Sequence, residues 1–231
     1  MAIIAVDVWI WSLSIAAHET ARLAALLSED ERARAARFLA ATDGAGYIAG
    51  RGRMREILAN YAALPPQALQ FSYGAAGKPV LVGDGVKPHF NLSHSAGWAA
   101  LAVTARHPVG IDIEAVRSIK EEIAERFFSA GEAQAIYDLP AAEQTAAFFR
   151  CWTRKEAFVK AVGDGLSYPL AAFEVSIAAE DFPDVRTIDG ADAVELARWR
   201  LVSLEPARGL VGAIALRVDA SGDRISVGFR T

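Results

Sequence analysis

The chain has 231 residues, 53% of them hydrophobic, a formal net charge of −4 and a single cysteine. That composition supports a sizeable globular core, and the mild negative charge speaks against nucleic acid as a general partner. One cysteine rules out an intrachain disulfide. Cys151 lies beside Phe148, Phe149 and Trp152, which makes it a small buried hydrophobe and not a catalytic thiol. No apolar run reaches membrane-spanning length, and the N-terminus lacks the basic start and cleavage site of a leader. The expectation is a soluble cytoplasmic protein with no membrane partner.

Residues 3–13 are rich in β-branched and aromatic side chains and predict a buried strand. Ser28 followed by Glu31 predicts a capping box and a helix carrying Arg32, Arg34 and Arg37. A long helix is predicted from about Asp43 to Ala63, closed by Pro65 and Pro66 and carrying Arg51, Arg53 and Arg55. Strands are predicted at 79–82, 98–104 and 109–114. Helices dominate 118–163, and strands return at 173–177, 196–204, 210–218 and 225–229. Strand, helices, strands, helices, strands is an α+β order, with a division into two halves near 105–108.

Two acidic segments carry the chemistry. Val109-Gly110-Ile111-Asp112-Ile113-Glu114 and Trp152 to Lys160 together hold three carboxylates and two lysines among apolar residues. An unpaired buried charge is very costly, so such acids pair or hold a cation. Three carboxylates with a hard divalent ion suit a phosphate group. In a strand, Asp112 and Glu114 point to one face and Ile111 and Ile113 to the core. Taken alone, that pair is a weak signal, since most such pairs are simply a solvated face. In the helix predicted at 141–162, Trp152, Glu156 and Lys160 share one stripe. A plain i,i+4 ion pair accounts for Glu156 and Lys160 but not for the aromatic crowding around them.

In Phe90-Asn91-Leu92-Ser93-His94-Ser95, backbone N–H groups, hydroxyls and an imidazole can cradle phosphate. Turn chemistry at Asn91 and Ser93 explains the segment equally well. Lys78, between Gly77 and Pro79, sits on a stiff backbone. Basic residues on helices are ordinarily solvated, so Arg34, Arg51 and Arg55 gain meaning only where an anion is gathered before them.

In their order and spacing, Gly77-Lys78-Pro79, Phe90 to Ser95, Gly110 to Glu114, Arg126-Phe127-Phe128-Ser129, and Trp152 to Lys160 followed by Gly163-Asp164-Gly165-Leu166 resemble the 4′-phosphopantetheinyl transferases. The likeness is to the larger single-chain (Sfp-type) class and covers residues 70–175. It implies two similar α+β halves in pseudo-twofold arrangement, 1–106 and 107–231, with a coenzyme A cleft between them, in a monomer. It implies an enzyme that uses Mg²⁺, or Mn²⁺, to move the phosphopantetheine arm of coenzyme A onto a serine of an apo acyl or peptidyl carrier protein, releasing adenosine 3′,5′-bisphosphate.

By this resemblance Asp112, Glu114 and Glu156 hold the metal. Glu156 takes the serine proton, with Asp112 and Lys160 the other catalytic groups. Lys160 contacts the diphosphate, Ser93 and His94 meet phosphates of coenzyme A, and Gly77 and Lys78 border the adenine. The family binds its carriers on an apolar surface with some basic contacts; 118–128, with Lys120, Ile123, Arg126 and Phe127, is the candidate surface, and an amphipathic core helix explains that stretch at least as well. The chain departs from the family pattern at Glu31 and Gly46, where basic residues are expected. Arg34 keeps its charge, and Arg51 and Arg55 offer the positive charge for the 3′-phosphate. Two rivals use the same residues: a coenzyme A-binding regulator without transfer, and a metal-dependent phosphohydrolase.

Overall fold

A computed structural model describes residues 1–75, 77–119, 123–163, 168–179 and 182–230. Strand β1 (Ile3–Ser12) is followed by helices α1 (Ala17–Ala24), α2 (Glu29–Ala35) and α3 (Ala41–Ala62), then by β2 (Gln70–Tyr73), β3 (Pro79–Val82), β4 (His89–Ser95), β5 (Trp98–Thr104) and β6 (Val109–Ala115). Helices α4 (Ile123–Phe127), α5 (Ala130–Tyr137) and α6 (Ala141–Val162) come next. The chain ends with β7 (Phe173–Val175), β8 (Val185–Ile188), α7 (Ala193–Leu196), β9 (Trp199–Leu204), β10 (Leu210–Arg217) and β11 (Arg224–Arg230). The class is α+β. Among the described residues no helix is long and apolar enough to cross a membrane.

Strand alternation decides the layering. One sheet has the order β11-β1-β5-β4 and a second the order β6-β10-β9. Ile4, Val6 and Val8 of β1, Ala100 and Ala102 of β5, and Ile111, Ile113, Val202, Ile214 and Leu216 of the second sheet form one core between the two sheets. The opposite faces take the long helices. Met54, Ile57 and Leu58 of α3 pack on Phe90, Leu101 and Val103. Phe149, Ala157, Phe158 and Ala161 of α6 share a core with Ala213, Ala215, Leu201 and Trp199. The result is four layers, helix, sheet, sheet, helix, in which Gly110, Asp112 and Glu114 face α6.

Several expectations are corrected. The segment containing Ser93 and His94, left open between a phosphate cradle and turn chemistry, is strand β4. The turn falls at Ala96 and Gly97, both with positive φ. The strand expected at 196–204 begins only at Trp199, because α7 occupies 193–196 behind an Asp192 cap. Strand β11 returns to the first sheet and pairs in parallel with β1. Arg230 ties it down through Asp7, which also accepts from Tyr61.

Arg51 and Arg55, expected at the 3′-phosphate, are instead closed in. Arg55 is 1% exposed and pairs with Glu31 at 2.6 Å, and Arg51 holds the other oxygen of the same carboxylate. Arg51 also donates to Tyr73 Oη at 2.6 Å, and Arg55 to the Pro66 and Leu69 carbonyls. Two guanidiniums on the buried side of α3 require a carboxylate, and Glu31 supplies it. This gives the departure at Glu31 a physical reason. Burial alone pushes the Glu31 carboxyl up, but Arg55, Arg51 and the Ser28 N–H together hold it below the usual range. Its contribution to stability is therefore present above the unfolded-state pKa and is lost as pH falls through the lowered one. Glu31→Ala leaves two buried cations unpaired. Thermal unfolding should show a loss of about 3–5 kcal/mol, or on the order of 10 °C in Tm for a chain of this size.

Candidate active site

The site is built where β6, β4 and α6 meet. α6 crosses β6 at very close range. A Cβ placed on Gly110 would lie 1.9 Å from the Ala157 carbonyl oxygen and 2.5 Å from the Ala161 nitrogen. That approach brings Glu156 and Lys160 over Asp112. Lys160 Nζ donates to Asp112 Oδ1 at 2.6 Å, to Ser93 Oγ at 3.3 Å and to the Ile111 carbonyl at 3.3 Å. All three ammonium hydrogens are thereby used. Ser93 Oγ donates to Asp112 Oδ1 at 2.9 Å. The i,i+4 pairing of Glu156 with Lys160 is not made, because Lys160 is taken by Asp112.

Two carboxylate oxygens are left over. Asp112 Oδ2 and Glu156 Oε1 are both buried and have no hydrogen-bond partner among the described residues. Asp112 is 5% exposed. Burial pushes the Asp112 carboxyl up, against the pull of Lys160. Burial and then the charge of Asp112 push Glu156 up likewise. Two orphaned carboxylate oxygens, with the charge of Asp112 raising Glu156, call for a positive charge between them.

Among the described residues, no group of three His, Cys, Asp or Glu side chains stands ready to hold a metal ion. The expected set of Asp112, Glu114 and Glu156 is thus not closed. Glu114 is drawn aside, accepting from Ser95 Oγ at 2.8 Å and from Arg117 at 3.1 Å. The donors available are hard oxygens, which fit Mg²⁺ or Mn²⁺. Mg²⁺ commonly takes only one or two carboxylates and fills its remaining positions with substrate phosphate and water.

The two lysines of α6 have different duties. Lys155 is fully buried and pairs with Glu132 at 2.7 Å. It also donates to the Leu170 carbonyl at 2.8 Å and to the Phe173 carbonyl. Glu132 caps α5 through the Ser129 N–H at 3.1 Å and accepts from the Val175 N–H at 2.8 Å. Lys155 therefore ties α5, α6 and β7 together, and Lys160 alone reaches the acids.

The other expected residues are dispersed. Lys78 Nζ donates to the Val109 carbonyl at 2.9 Å and to the Lys160 carbonyl. Burial, and then the charge of Lys160, push its pKa down to about 8. Gly77 is exposed at positive φ. His94 is exposed, pointing the opposite way from Ser93 along β4. Arg34 is exposed, with its guanidinium 5.6 Å from the centre of the Tyr47 ring. Lys120 and residues 164–166 of the Gly163 motif lie outside the described residues.

Beside Glu156 opens a cleft of about 310 Å³ whose lining includes Arg126, Phe127, Trp152, Val159, Tyr168 and Leu170. The Phe127 and Trp152 rings meet edge to face at 5.3 Å. A larger depression of about 510 Å³ is lined by Asp189, Asp192, Glu195 and Arg198. Its predominantly acidic wall disfavours an anionic ligand.

Residues 11–106 match the 4′-phosphopantetheinyl transferase N-terminal family, and residues 108–215 match the 4′-phosphopantetheinyl transferase superfamily. The 4′-phosphopantetheinyl transferase HetI of Nostoc sp. is 38% identical over 84% of this chain and 80% of its own length. The chain belongs to the 4′-phosphopantetheinyl transferases. The 4′-phosphopantetheinyl transferase psf-1 of Bacillus pumilus is 36% identical over 89% of this chain and 85% of its own. The 4′-phosphopantetheinyl transferase Sfp of Bacillus subtilis is 35% identical over 69% of this chain and 70% of its own. In this member of the family, the junction of the two matched segments, near residue 107, falls between β5 and β6.

Sequence reasoning missed three residues around the site. Asn91 and Ser95 hold the backbone of β6, and Glu132 anchors Lys155. The N-x-S-x-S alternation of β4 was the available signal for the first two. The Ser129-to-Glu132 capping-box spacing was the signal for the third.

Proposed function

We propose that this chain transfers the 4′-phosphopantetheine arm of coenzyme A to a serine of an apo acyl or peptidyl carrier protein. The single observation that carries this reading is the pair of partnerless buried oxygens, Asp112 Oδ2 and Glu156 Oε1, beside Lys160. Membership in the family supplies the reaction to which that pair is fitted.

Asp112 and Glu156 would hold Mg²⁺ or Mn²⁺, with Glu114 at the rim. A bound divalent cation neutralises diphosphate charge and polarises the phosphorus–oxygen bond that breaks. Lys160 adds a fixed positive charge at the same place, available to the leaving phosphate as charge develops on it. Glu156 accepts the proton of the attacking serine. The serine oxygen bonds to the phosphorus of the pantetheine phosphate, and adenosine 3′,5′-bisphosphate leaves with its oxygen. The apolar cleft lined by Phe127, Trp152 and Leu170 gives the pantetheine arm and the carrier serine a dry approach to Glu156.

In this reading residues 1–106 contribute nucleotide and 3′-phosphate contacts, including Gly77, His94 and Arg34, and residues 107–231 the acids and the carrier surface around Arg126 and Phe127. The enzyme works as a cytoplasmic monomer.

Intact mass spectrometry of apo carriers incubated with the protein, coenzyme A and Mg²⁺ tests this. Each competent carrier should gain one phosphopantetheine, and the gain should vanish with a chelator. Asp112→Ala should lower the rate by about 10²-fold or more, the loss typical of removing one preorganised electrostatic group. Coenzyme A hydrolysis without any carrier gain would overturn the reading in favour of a phosphohydrolase. Binding without either reaction would favour a regulator.

A further inference from the structure

The edge of β6 that faces β4 is satisfied by side chains and not by a strand. Along it, the Val109 carbonyl accepts from Lys78 Nζ at 2.9 Å and the Ile111 N–H donates to Asn91 Oδ1 at 2.9 Å. The Ile113 N–H then donates to Ser93 Oγ at 3.3 Å and the Ala115 N–H to Ser95 Oγ at 3.2 Å. Asn91, Ser93 and Ser95 occupy every second position of β4, which is what aims all three at one edge. Lys78 reaches further, donating also to the carbonyl of Lys160 on α6. Two carbonyl oxygens, not a carboxylate, hold this half-buried ammonium.

We infer that Lys78 and Asn91 are positioning residues, which fix the backbone of β6 and the last turn of α6 and so set where Asp112 and Lys160 stand. The inference rests on the transferase reading of that site. A strand paired on both edges by other strands is held by a cooperative ladder. This one is held on its β4 side by individual side chains, so each carries a separable share. Asn91 sits opposite the residue before Asp112. Lys78 grips the backbone of Lys160 itself. A misplacement of a reacting group by about 1 Å costs on the order of a hundredfold in rate.

The test compares wild type with Asn91→Ala, Lys78→Met and Lys78→Arg, all as the full chain and below their melting temperatures. Three quantities are read: kcat on an apo carrier, Kd for coenzyme A by calorimetry, and hydrogen exchange of the segment 109–115. We expect kcat per folded molecule to fall about 10–100-fold in Asn91→Ala and Lys78→Met, with Kd within about threefold. Exchange of 109–115 should rise about tenfold in Asn91→Ala. Lys78→Arg should recover most of kcat, since a guanidinium keeps donors for both carbonyls.

Unchanged kcat per folded molecule would make the two residues merely structural and overturn the inference. A Kd weakened tenfold or more would make Lys78 a ligand contact and overturn it equally. Wild type that transfers nothing to any carrier defeats the transferase reading instead. Exchange in Asn91→Ala is read without turnover, and an unchanged value there overturns the positioning role by itself.

Discussion

Glu156→Gln lowers kcat by about 10²–10⁴-fold, the range for losing a general base, while Kd for coenzyme A moves by less than about threefold. The substitution keeps the shape of the side chain and removes its charge. Glu156 Oε1 makes no hydrogen bond that the amide could lose. The carboxyl is elevated by burial and by Asp112, so the neutral amide also relieves a repulsion. The fold should therefore be as stable as wild type or slightly more so, and a melting curve checks this alongside rapid-quench turnover. A protein that loses binding and turnover together would make Glu156 chiefly an anchor for the ligand. A stability gain with lost rate marks a residue kept for chemistry at the expense of the fold.

Gly110→Ala has the largest expected effect on structure. The added methyl would stand 1.9 Å from the Ala157 carbonyl oxygen and 2.5 Å from the Ala161 nitrogen. Both are helix backbone, so no side chain can swing away. Either α6 lifts off β6 or the strand retreats into the core formed by Ile111, Ile113 and Ile214. Overpacking usually costs about 1–3 kcal/mol, and a clash with backbone belongs at or above the top of that range. The same displacement moves Glu156 and Lys160 away from Asp112. Activity per folded molecule should fall at least about 10²-fold. Denaturant unfolding and an assay on the folded fraction separate the two losses. A variant with wild-type stability and rate would mean that α6 and β6 do not meet as described.

The acids were legible because strand alternation and helix periodicity are local rules. Ile111 and Ile113 are buried at 0% and 1%, and Asp112 and Glu114 face α6, as the i,i+2 pattern requires. The Ser28 and Glu31 capping pattern likewise marked the start of α2. What escaped depends on tertiary contact. The pairing of Lys160 with Asp112 in place of Glu156 needs α6 laid across β6, and no spacing within one element reveals that. Arg51 and Arg55 look solvated by helix position, yet Glu31, some twenty residues earlier, draws both inward. The Asn91 segment carries turn-forming residues, but their side chains serve a neighbouring strand edge. The return of β11 to β1 is a pairing across almost the whole chain, which composition does not encode locally.

The most direct measurement is a crystal structure of the protein with coenzyme A and Mn²⁺, with the metal located by its anomalous scattering. One Mn²⁺ is expected on Asp112 Oδ2 and Glu156 Oε1, in contact with the coenzyme A diphosphate, with Lys160 still on Asp112 Oδ1. A diphosphate seated elsewhere, or a metal that leaves both of those oxygens untouched, would contradict this placement.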